Sequence, residues 1–443
     1  MIKINNCLKQ ESILKTALII SNKIAFDKGK GFVKSWDNKT YWEFATNLDR
    51  EINKINVYNY HFEPYLQKTK RTKKRERKIY ISTWRDKLVE TWINRTLSRS
   101  LKNWYSKKSY AYNSDIGINQ CQKDISKIIK NNNYIIRRDI TNYFYTINHD
   151  ILLKQVRNLV DEELYNLISQ RINYKYYDNN VIKTAEIGIP FGSPIACVLS
   201  NIYLTTIDKE FEHLNYFRYA DDFLIIGNEN IADASEKFKN SIESLGLKLS
   251  PRKSLNLTFG KHKDFETINS FKFLGLEYCK NGIIRLPIEK RRKIINIFKR
   301  TLSTISNKCN KLDNIDTKLE LIIKEINNII ELRIRYVAII DYYLKHITDE
   351  EQLKSMDREI AENVISTILN KKFRKRDFKK IPFKKLRDFG LISLLHRNRL
   401  HKQGHISIPF MSLFNNIMIR KHEKTLERKL NRISQIKLSR KLN

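Results

Sequence analysis

Apolar residues recur at intervals of three and four positions along two long stretches of the C-terminal third, residues 286–347 and 350–369. This spacing places apolar side chains on one face of a helix. Residues 135–278 differ, because short apolar segments rich in β-branched residues alternate there with helical ones and carry nearly every glycine-containing turn. The pattern predicts a mixed α/β centre.

The regions on either side of this centre are predicted to be helical and basic. Residues 1–66 have a largely helical pattern. Residues 67–135 begin with a dense basic run, which precedes a strand-like segment at 79–81 and a helix-like segment at 86–101. From about Pro287 the helical pattern continues to the end of the chain, where residues 420–441 predict a cationic surface helix.

Composition indicates a globular protein that binds a polyanion. The 443 residues allow roughly two or three packed units of about 150 residues each. Lysine and arginine (84) exceed aspartate and glutamate (48) by 36, and nucleic acid is the polyanion that best balances such a surplus. We expect no membrane span, since no apolar run approaches the roughly 20 residues required. Five dispersed cysteines fit a reducing cytoplasm.

Two adjacent aspartates, Asp221 and Asp222, interrupt an otherwise apolar segment at residues 216–227. The β-branched and aromatic residues on both sides predict a hairpin with the aspartates at or beside its turn. Neighbouring carboxylates disfavour each other's ionised form unless a cation is present, and Mg²⁺ binds carboxylate oxygens while keeping positions open for phosphates. Taken alone, the pair fits either a magnesium site or a solvated turn.

Two further segments bear on this choice. Asp139 lies in a strand-like run at residues 134–147, where it could serve the same cation or pair with Arg137 or Arg138. Residues 188–204 form a glycine–proline turn that leads into an apolar helix. Such a turn lets the backbone approach a substrate closely, and the helix start offers free N–H groups, although an ordinary loop before a core helix has the same pattern.

The order of these three segments resembles the bacterial reverse transcriptases, the RNA-directed DNA polymerases of the retroelement type. The resemblance extends from about residue 26 to residue 278, and its most specific motif is Tyr-Ala-Asp-Asp at residues 219–222. It implies an α+β fold: a right-hand polymerase with fingers and palm, built from an antiparallel sheet plus helices, followed by an all-α basic thumb and C-terminal region. The implied domains are residues 1–134 (N-terminal helices and fingers), 135–280 (palm) and 281–443 (thumb and C-terminal region).

The resemblance also implies catalytic and metal-binding roles. Asp139 and Asp221 bridge two magnesium ions, for which Mn²⁺ is an alternative, while the Ile140 carbonyl is a further ligand and Asp222 supports the site. Two such ions stabilise the attacking and the leaving oxygen. Phe144 takes the place of an aromatic gate that leaves no room for a 2′-hydroxyl. Without the resemblance, Phe144 is equally well explained as a core residue.

Basic residues and the glycine–proline turn supply the remaining predicted contacts. The residues predicted to bind the deoxynucleoside triphosphate are Arg75, Arg77, Lys78, Phe144, Pro190, Gly192 and Lys253. Lys253 either neutralises or protonates the leaving pyrophosphate, or is simply solvated. The residues predicted to bind nucleic acid lie in the basic stretches 68–78 and 371–387 and are Lys73, Lys74, Arg374, Lys375, Arg376 and Lys379.

The function implied is RNA-directed DNA synthesis from deoxynucleoside triphosphates, with RNA as template or partner and DNA as product. The sequence lacks a retron thumb signature and an endonuclease Cys/His cluster, and its C-terminal portion is short for an intron maturase domain. It is therefore most similar to the defence-associated and abortive-infection reverse transcriptases, which implies antiphage defence with a partner non-coding RNA and a homo-oligomer. Untemplated or protein-primed synthesis and maturase-like RNA binding stay open as alternatives.

Overall fold

The computed structural model describes residue 2 and residues 55–72, 75–113, 116–228, 231–330 and 344–405. These residues form two compact units. The first contains the described residues before Gln122 together with Asn132–Thr267, and the second contains Gln122–Asn131 together with the described residues from Ile268 onward. The three-part division at residues 134 and 280 stays a prediction. The helices predicted before residue 55 and at 420–441 lie outside the described residues.

Helices and strands alternate through the first unit and give way to helices in the second. The helices are α1 Trp84–Ser100, α2 Ile118–Ile128, α3 Tyr143–Thr146, α4 His149–Arg157, α5 Glu162–Ile172, α6 Ala196–Phe211, α7 Ala232–Ser244, α8 Ile288–Asn310, α9 Ile315–Ile330, α10 Glu350–Ile368, α11 Phe383–Asp388 and α12 Leu394–Lys402. The strands are β1 Tyr65–Thr72, β2 Arg75–Ile81, β3 Tyr134–Asp139, β4 Lys175–Asp178, β5 Val181–Thr184, β6 Asn215–Tyr219, β7 Asp222–Gly227, β8 Leu255–Thr258, β9 Glu266–Thr267, β10 Ser270–Phe273, β11 Leu276–Cys279 and β12 Ile284–Arg285.

A five-stranded sheet in the order β6-β7-β3-β8-β9 forms the centre of the first unit. Strand β3 is antiparallel to both β7 and β8, and apolar side chains of the sheet share one buried cluster with those of α1, α6 and α7. For example, the Phe223 ring of β7 packs edge-on against Phe238 of α7, with 5.0 Å between ring centroids. The mixed α/β centre expected from the pattern is confirmed, and strand pairing sets the ends of β3 and β7 side by side.

The second sheet of the first unit has the order β2-β1-β4-β5 and contains much of the first basic run. Only residues 79–81 carry a strand pattern in the sequence, but β2 begins at Arg75 and pairs antiparallel with β1 along its whole length. One face of this sheet is fixed by packing tyrosines, among them Tyr65, Tyr80 and Tyr174. Strand pairing therefore extends through charged residues that carry no apolar alternation of their own.

The described residues of the second unit combine the sheet β10-β11-β12 with three long helices, α8 to α10, and the shorter α11 and α12. Helix α8 begins directly after Pro287, as the pattern predicts, and α10 is capped by the Asp349 carboxylate, which accepts a hydrogen bond of 2.9 Å from the Gln352 amide. Between residues 288 and 405 the described positions contain no strand. The α+β fold with a helical region after it is thus confirmed. Of the helices that the structure describes, none has the length and apolar character needed to cross a membrane.

Candidate active site

The adjacent aspartates lie at the tip of a tight hairpin. Strands β6 and β7 pair antiparallel up to Tyr219 opposite Asp222, so that Ala220 and Asp221 form a two-residue loop. Ala220 has a φ of 57°, a left-handed conformation that costs a residue with a Cβ about 1–2 kcal/mol. Glycine, asparagine or aspartate is usual in such a loop. The hairpin expected from the sequence is confirmed, with backbone strain at its tip.

Asp139 is brought directly beside this tip by the sheet. It is the last residue of β3, and the register of β3 with β7 places it opposite Asp222. Asp139 is buried, whereas Asp221 and Asp222 are half-buried. Ile140 follows Asp139, is also buried, and pairs with Leu249 in an isolated bridge. Three carboxyl groups from two distant segments therefore share one end of the sheet.

Burial and neighbouring negative charge make ionisation of Asp221 and Asp222 unfavourable. The pKa of Asp221 is raised above its ordinary value, first by burial and then by the negative charges of Asp139 and Asp222. The pKa of Asp222 is raised mainly by burial and also by Asp139, against the opposing effect of Arg137. A bound cation would lower both values, because it favours the ionised form of each acid.

Two cations of the chain lie beside the acids. Lys253 forms an ion pair with Asp139, and a guanidinium nitrogen of Arg137 lies 3.8 Å from the Asp222 carboxylate. The alternative pairing of Asp139 with Arg138 is wrong, since Arg138 donates instead to the Leu255 carbonyl and to other groups of the sheet. Sequence proximity is misleading here because successive residues of a strand point to opposite faces.

The donor set of this site is suited to a divalent cation, apart from the position of Lys253. Asp222 Oδ1 is a buried oxygen whose contact with Arg137 is long, at 3.8 Å, and hard carboxylate oxygens are the ligands that Mg²⁺ prefers. Within the described ranges, however, no group of three or more histidine, cysteine, aspartate or glutamate side chains is arranged to hold a metal ion. Lys253 now neutralises Asp139, so a cation that uses all three acids must displace its ammonium group.

A buried arginine behind the hairpin is a functional candidate that the sequence reasoning missed. Arg218 is fully buried, pairs with Asp208 of α6, and donates hydrogen bonds to Asn201 Oδ1 (2.9 Å) and to the Ala220 carbonyl oxygen (3.2 Å). The same guanidinium donates to the Ser109 hydroxyl at 2.6 Å, which gives every part of it a partner. The sequence feature that could have indicated this role is an arginine inside an apolar strand. A buried charge needs a buried counter-charge, so such an arginine predicts an acidic partner in the core.

The glycine–proline turn lies against the predicted aromatic gate. The Ile189 amide donates to the Phe144 carbonyl at 2.7 Å, and a Cβ at Gly188, whose φ is +84°, would lie 2.9 Å from that same oxygen. The rings of Phe144 and Phe191 pack edge-on with centroids 5.3 Å apart. Pro190, the residue before Phe191, is buried. The structure thus brings Phe144 and the turn together, as a shared nucleotide site requires.

The same turn also contacts β2, which carries the predicted phosphate-binding cations. The Arg77 guanidinium lies over the Phe191 ring, 5.7 Å from its centroid. A Cβ at Gly192, whose φ is +106°, would lie 2.7 Å from a methyl group of Ile79. Lys78 is exposed and its carbonyl accepts from the Tyr145 hydroxyl at 2.8 Å. Only main-chain pairing is described for Arg75, and Lys73 and Lys74 lie outside the described residues.

The second predicted nucleic-acid surface lies in the second unit. Its cations are exposed on a short 3-10 helix, Lys375–Lys379, and the residue before it; they are Arg374, Lys375, Arg376 and Lys379. Asp377 is buried beneath them, where it pairs with Lys371 at 2.6 Å and caps the Arg374 amide. The Phe378 and Phe383 rings stack with 5.2 Å between their centroids. An ordered turn therefore presents this positive charge on the surface.

The chain is similar to known proteins over its central part. The family model described as reverse transcriptase (RNA-dependent DNA polymerase) matches residues 66–278. The COX1/OXI3 intron 2 protein of Saccharomyces cerevisiae is 25% identical over 210 residues, 46% of this chain and 24% of that protein. The retron Ec83 reverse transcriptase of Escherichia coli is 27% identical over 130 residues, 27% of this chain and 41% of that protein. The chain thus spans less than half the length of either relative.

Among solved structures, the telomerase of Candida albicans in complex with a TWJ fragment of telomeric RNA is similar with a TM-score of 0.43. Its sequence is 11% identical, and the similarity covers 83% of this chain and 71% of that one.

Proposed function

We propose that this chain, whose residues 66–278 belong to the reverse transcriptase family, is an RNA-directed DNA polymerase that extends a primer with deoxynucleotides. The observation that carries the proposal is the pairing of Asp139 with Asp222 across β3 and β7, beside Asp221 at the hairpin tip. Phosphoryl transfer needs positioned charge rather than covalent chemistry from the protein, and three adjoining acids provide positions for that charge.

In this proposal the three acids hold divalent metal. Asp139 and Asp221 would hold two Mg²⁺ ions, or Mn²⁺ in their place, with Asp222 and the Ile140 carbonyl in support. Bound metal supplies charge stabilisation for the attacking and leaving oxygens. The burial of Asp222 Oδ1, which lies 3.8 Å from an Arg137 nitrogen, and the raised pKa values of Asp221 and Asp222 support this assignment. Lys253, which pairs with Asp139 in this structure, would be the cation available to neutralise or protonate the leaving pyrophosphate.

The surface formed by β2 and the glycine–proline turn is the proposed nucleotide site. Arg75, Arg77 and Lys78 neutralise the triphosphate, and Phe144 limits the space beside the sugar. Pro190 and Gly192 approach the nucleotide through their backbone. The edge-on contact of Phe144 with Phe191, together with the cation of Arg77 over the Phe191 ring, supports a common site for sugar and phosphates.

Nucleic acid is proposed to contact both basic surfaces. Lys73 and Lys74 belong to the first, and the second consists of Arg374, Lys375, Arg376 and Lys379. The surplus of 36 positive charges supports a polyanionic partner. We further propose that this partner is a non-coding RNA that serves in antiphage defence, on the resemblance of the sequence to defence-associated reverse transcriptases, and that the chain acts as a homo-oligomer in the cytoplasm.

Primer extension by purified protein tests the polymerase function. The double variant Asp221→Ala with Asp222→Ala is expected to abolish incorporation of labelled deoxynucleotides on an RNA template, in Mg²⁺ or Mn²⁺, without lowering the melting temperature. The matched control is Asp150→Ala, an exposed aspartate on α4. Wild-type-like synthesis by the double variant would contradict the proposal.

Sequencing the DNA product and the co-purified RNA separates the remaining alternatives. A product complementary to RNA supports templated synthesis, whereas a homopolymeric or protein-linked product indicates untemplated or protein-primed synthesis. Assisted splicing that survives loss of the aspartates would indicate a maturase. The proposed role in defence is tested by comparing phage plating on cells that express the wild type with plating on cells that express the aspartate variant.

A further inference from the structure

A buried glutamate in α1 gathers hydroxyl groups from separate parts of the first unit. Glu90 is fully buried, and its Oε1 accepts from the Tyr65 hydroxyl at 2.6 Å and lies 2.8 Å from Arg171 Nε. Its Oε2 accepts from two serine hydroxyls, Ser193 at 2.8 Å and Ser82 at 3.2 Å. Three hydroxyl donors and one guanidinium thus surround one carboxylate, and they come from β1, α5, the end of β2 and the glycine–proline turn.

Arg171 joins this carboxylate to a second one. The guanidinium lies 3.0 Å from Asp86, and it is sandwiched between the rings of Phe62 (3.9 Å) and Tyr65 (4.1 Å). The Tyr60 hydroxyl donates to Asp86 at 2.7 Å. Buried ionic groups of this kind are often no more stabilising than apolar residues of the same volume. The effect of this cluster is therefore better explained by the positions that it fixes than by a gain in the free energy of unfolding.

Ser193 connects the cluster to the turn that faces the nucleotide site. Its amide donates to the Pro190 carbonyl at 3.0 Å, which closes the turn, and the Phe191 carbonyl accepts from the Tyr80 amide at 3.0 Å. On the other side His149 contacts the Gly188 carbonyl oxygen at 2.6 Å. The turn is thus held from three directions, and the side-chain hydroxyl of Ser193 provides its attachment to α1.

We propose that Glu90 is a positioning residue which, through Ser193, holds the turn at residues 190–193 in the place that binds the incoming deoxynucleoside triphosphate. This inference rests on the proposed polymerase function. The physical reason is that the turn packs directly on β2, where Gly192 leaves no room for a Cβ beside Ile79, so a small shift of Ser193 moves the turn relative to that strand. The expected consequence of losing the hydroxyl is weaker nucleotide binding rather than slower chemistry.

Two serines on the same oxygen allow a matched comparison. Ser193→Ala and Ser82→Ala each remove one hydroxyl donor from Glu90 Oε2, but only the first detaches the turn. On a homopolymeric RNA template with a DNA primer, Ser193→Ala is expected to raise KM for the complementary deoxynucleotide about tenfold while kcat stays within about twofold. Ser82→Ala should leave KM within about twofold of the wild-type value. It should lower the melting temperature by about as much as Ser193→Ala does. Ser193→Thr, which keeps the hydroxyl, should restore the wild-type KM.

The outcomes distinguish this inference from the function on which it rests. Equal KM values for Ser193→Ala and Ser82→Ala would overturn the positioning role, and so would a fall in kcat at constant KM. No incorporation by the wild-type protein would overturn the polymerase function itself, and the positioning role with it. Melting curves of all three variants establish that each comparison is made on folded protein.

Discussion

The Arg218 guanidinium donates a hydrogen bond to the carbonyl oxygen of Ala220, the residue that immediately precedes Asp221. Arg218 is fully buried and pairs with Asp208 of α6. The strained loop at the hairpin tip is therefore tied to a helix of the core rather than supported by its own two strands alone. This tie explains how Ala220 keeps a left-handed backbone where a glycine would be expected.

Replacing Arg218 with lysine is expected to reduce both stability and activity. Lysine keeps the charge but cannot contact Asp208, Asn201 and the Ala220 carbonyl together. We expect the free energy of unfolding to fall by about 2–4 kcal/mol, and primer extension below the melting temperature to fall at least about tenfold. Tyr216→Phe is the control, because it removes a different donor to Asp208 (2.8 Å) and leaves Arg218 in place. Equal activity of the two variants would contradict a role of Arg218 in holding the hairpin.

Neutralising Asp221 is expected to stabilise the protein in the absence of metal. Burial raises the pKa of Asp221, and the charges of Asp139 and Asp222 raise it further. Such a group stabilises the folded state at low pH, and this contribution is lost as the pH rises through the folded-state pKa. At pH 7 in EDTA, Asp221→Asn should therefore melt about 1–3 °C above the wild type.

The pH dependence provides the check on this prediction. The advantage of Asp221→Asn should shrink as the pH falls toward the ordinary aspartate pKa of about 3.9, because the wild-type carboxyl group is then protonated as well. Asp150→Asn, at an exposed position, should show no comparable gain. Calorimetry across this pH range would contradict the expectation if Asp221→Asn melted below the wild type at neutral pH.

Removing the Phe144 ring is expected to relax the discrimination against ribonucleotides. An aromatic side chain beside the sugar excludes the 2′-hydroxyl, so Phe144→Ala should raise the ratio of ribonucleotide to deoxynucleotide incorporation about tenfold or more. Phe191→Ala should act in the same direction but more weakly, because Phe191 supports the Phe144 ring without replacing it. Tyr58→Ala, at a ring that is 55% exposed, is the control. An unchanged ratio in Phe144→Ala would reject the gate.

Removing charge from the second basic surface is expected to weaken RNA binding and its salt dependence. Glutamine at Arg374, Lys375, Arg376 and Lys379 removes the cations that are proposed to pair with phosphates. The slope of log affinity against log salt should become shallower by about 1 for every phosphate that the variant no longer neutralises. The control replaces four exposed lysines elsewhere, Lys102, Lys154, Lys237 and Lys239. If both sets change the slope equally, only net charge matters and the surface does not bind RNA specifically.

Local pattern was sufficient to predict several elements. These elements are the hairpin around Asp221, the helix that follows Pro287 and the helix at Glu350–Ile368. Each depends on neighbouring residues, because alternation, a turn or an apolar periodicity is a property of consecutive positions. The long basic hairpin β1–β2 was only partly visible. Its strands are selected by packing against Tyr174 and by pairing with β4, which a local pattern does not contain.

The sequence by itself determined that this protein is a basic, globular α+β chain with acidic segments in the order typical of one polymerase family, since charge and motif order are properties of the chain alone. Only the tertiary structure decided which groups meet: Asp139 with Asp222, Lys253 with Asp139, Arg218 with Ala220, and Glu90 with Ser193. The physical reason is that strand register and helix packing depend on the burial of side chains that are far apart in the chain. Burial then sets the pKa values and the buried ion pairs from which the site obtains its chemistry.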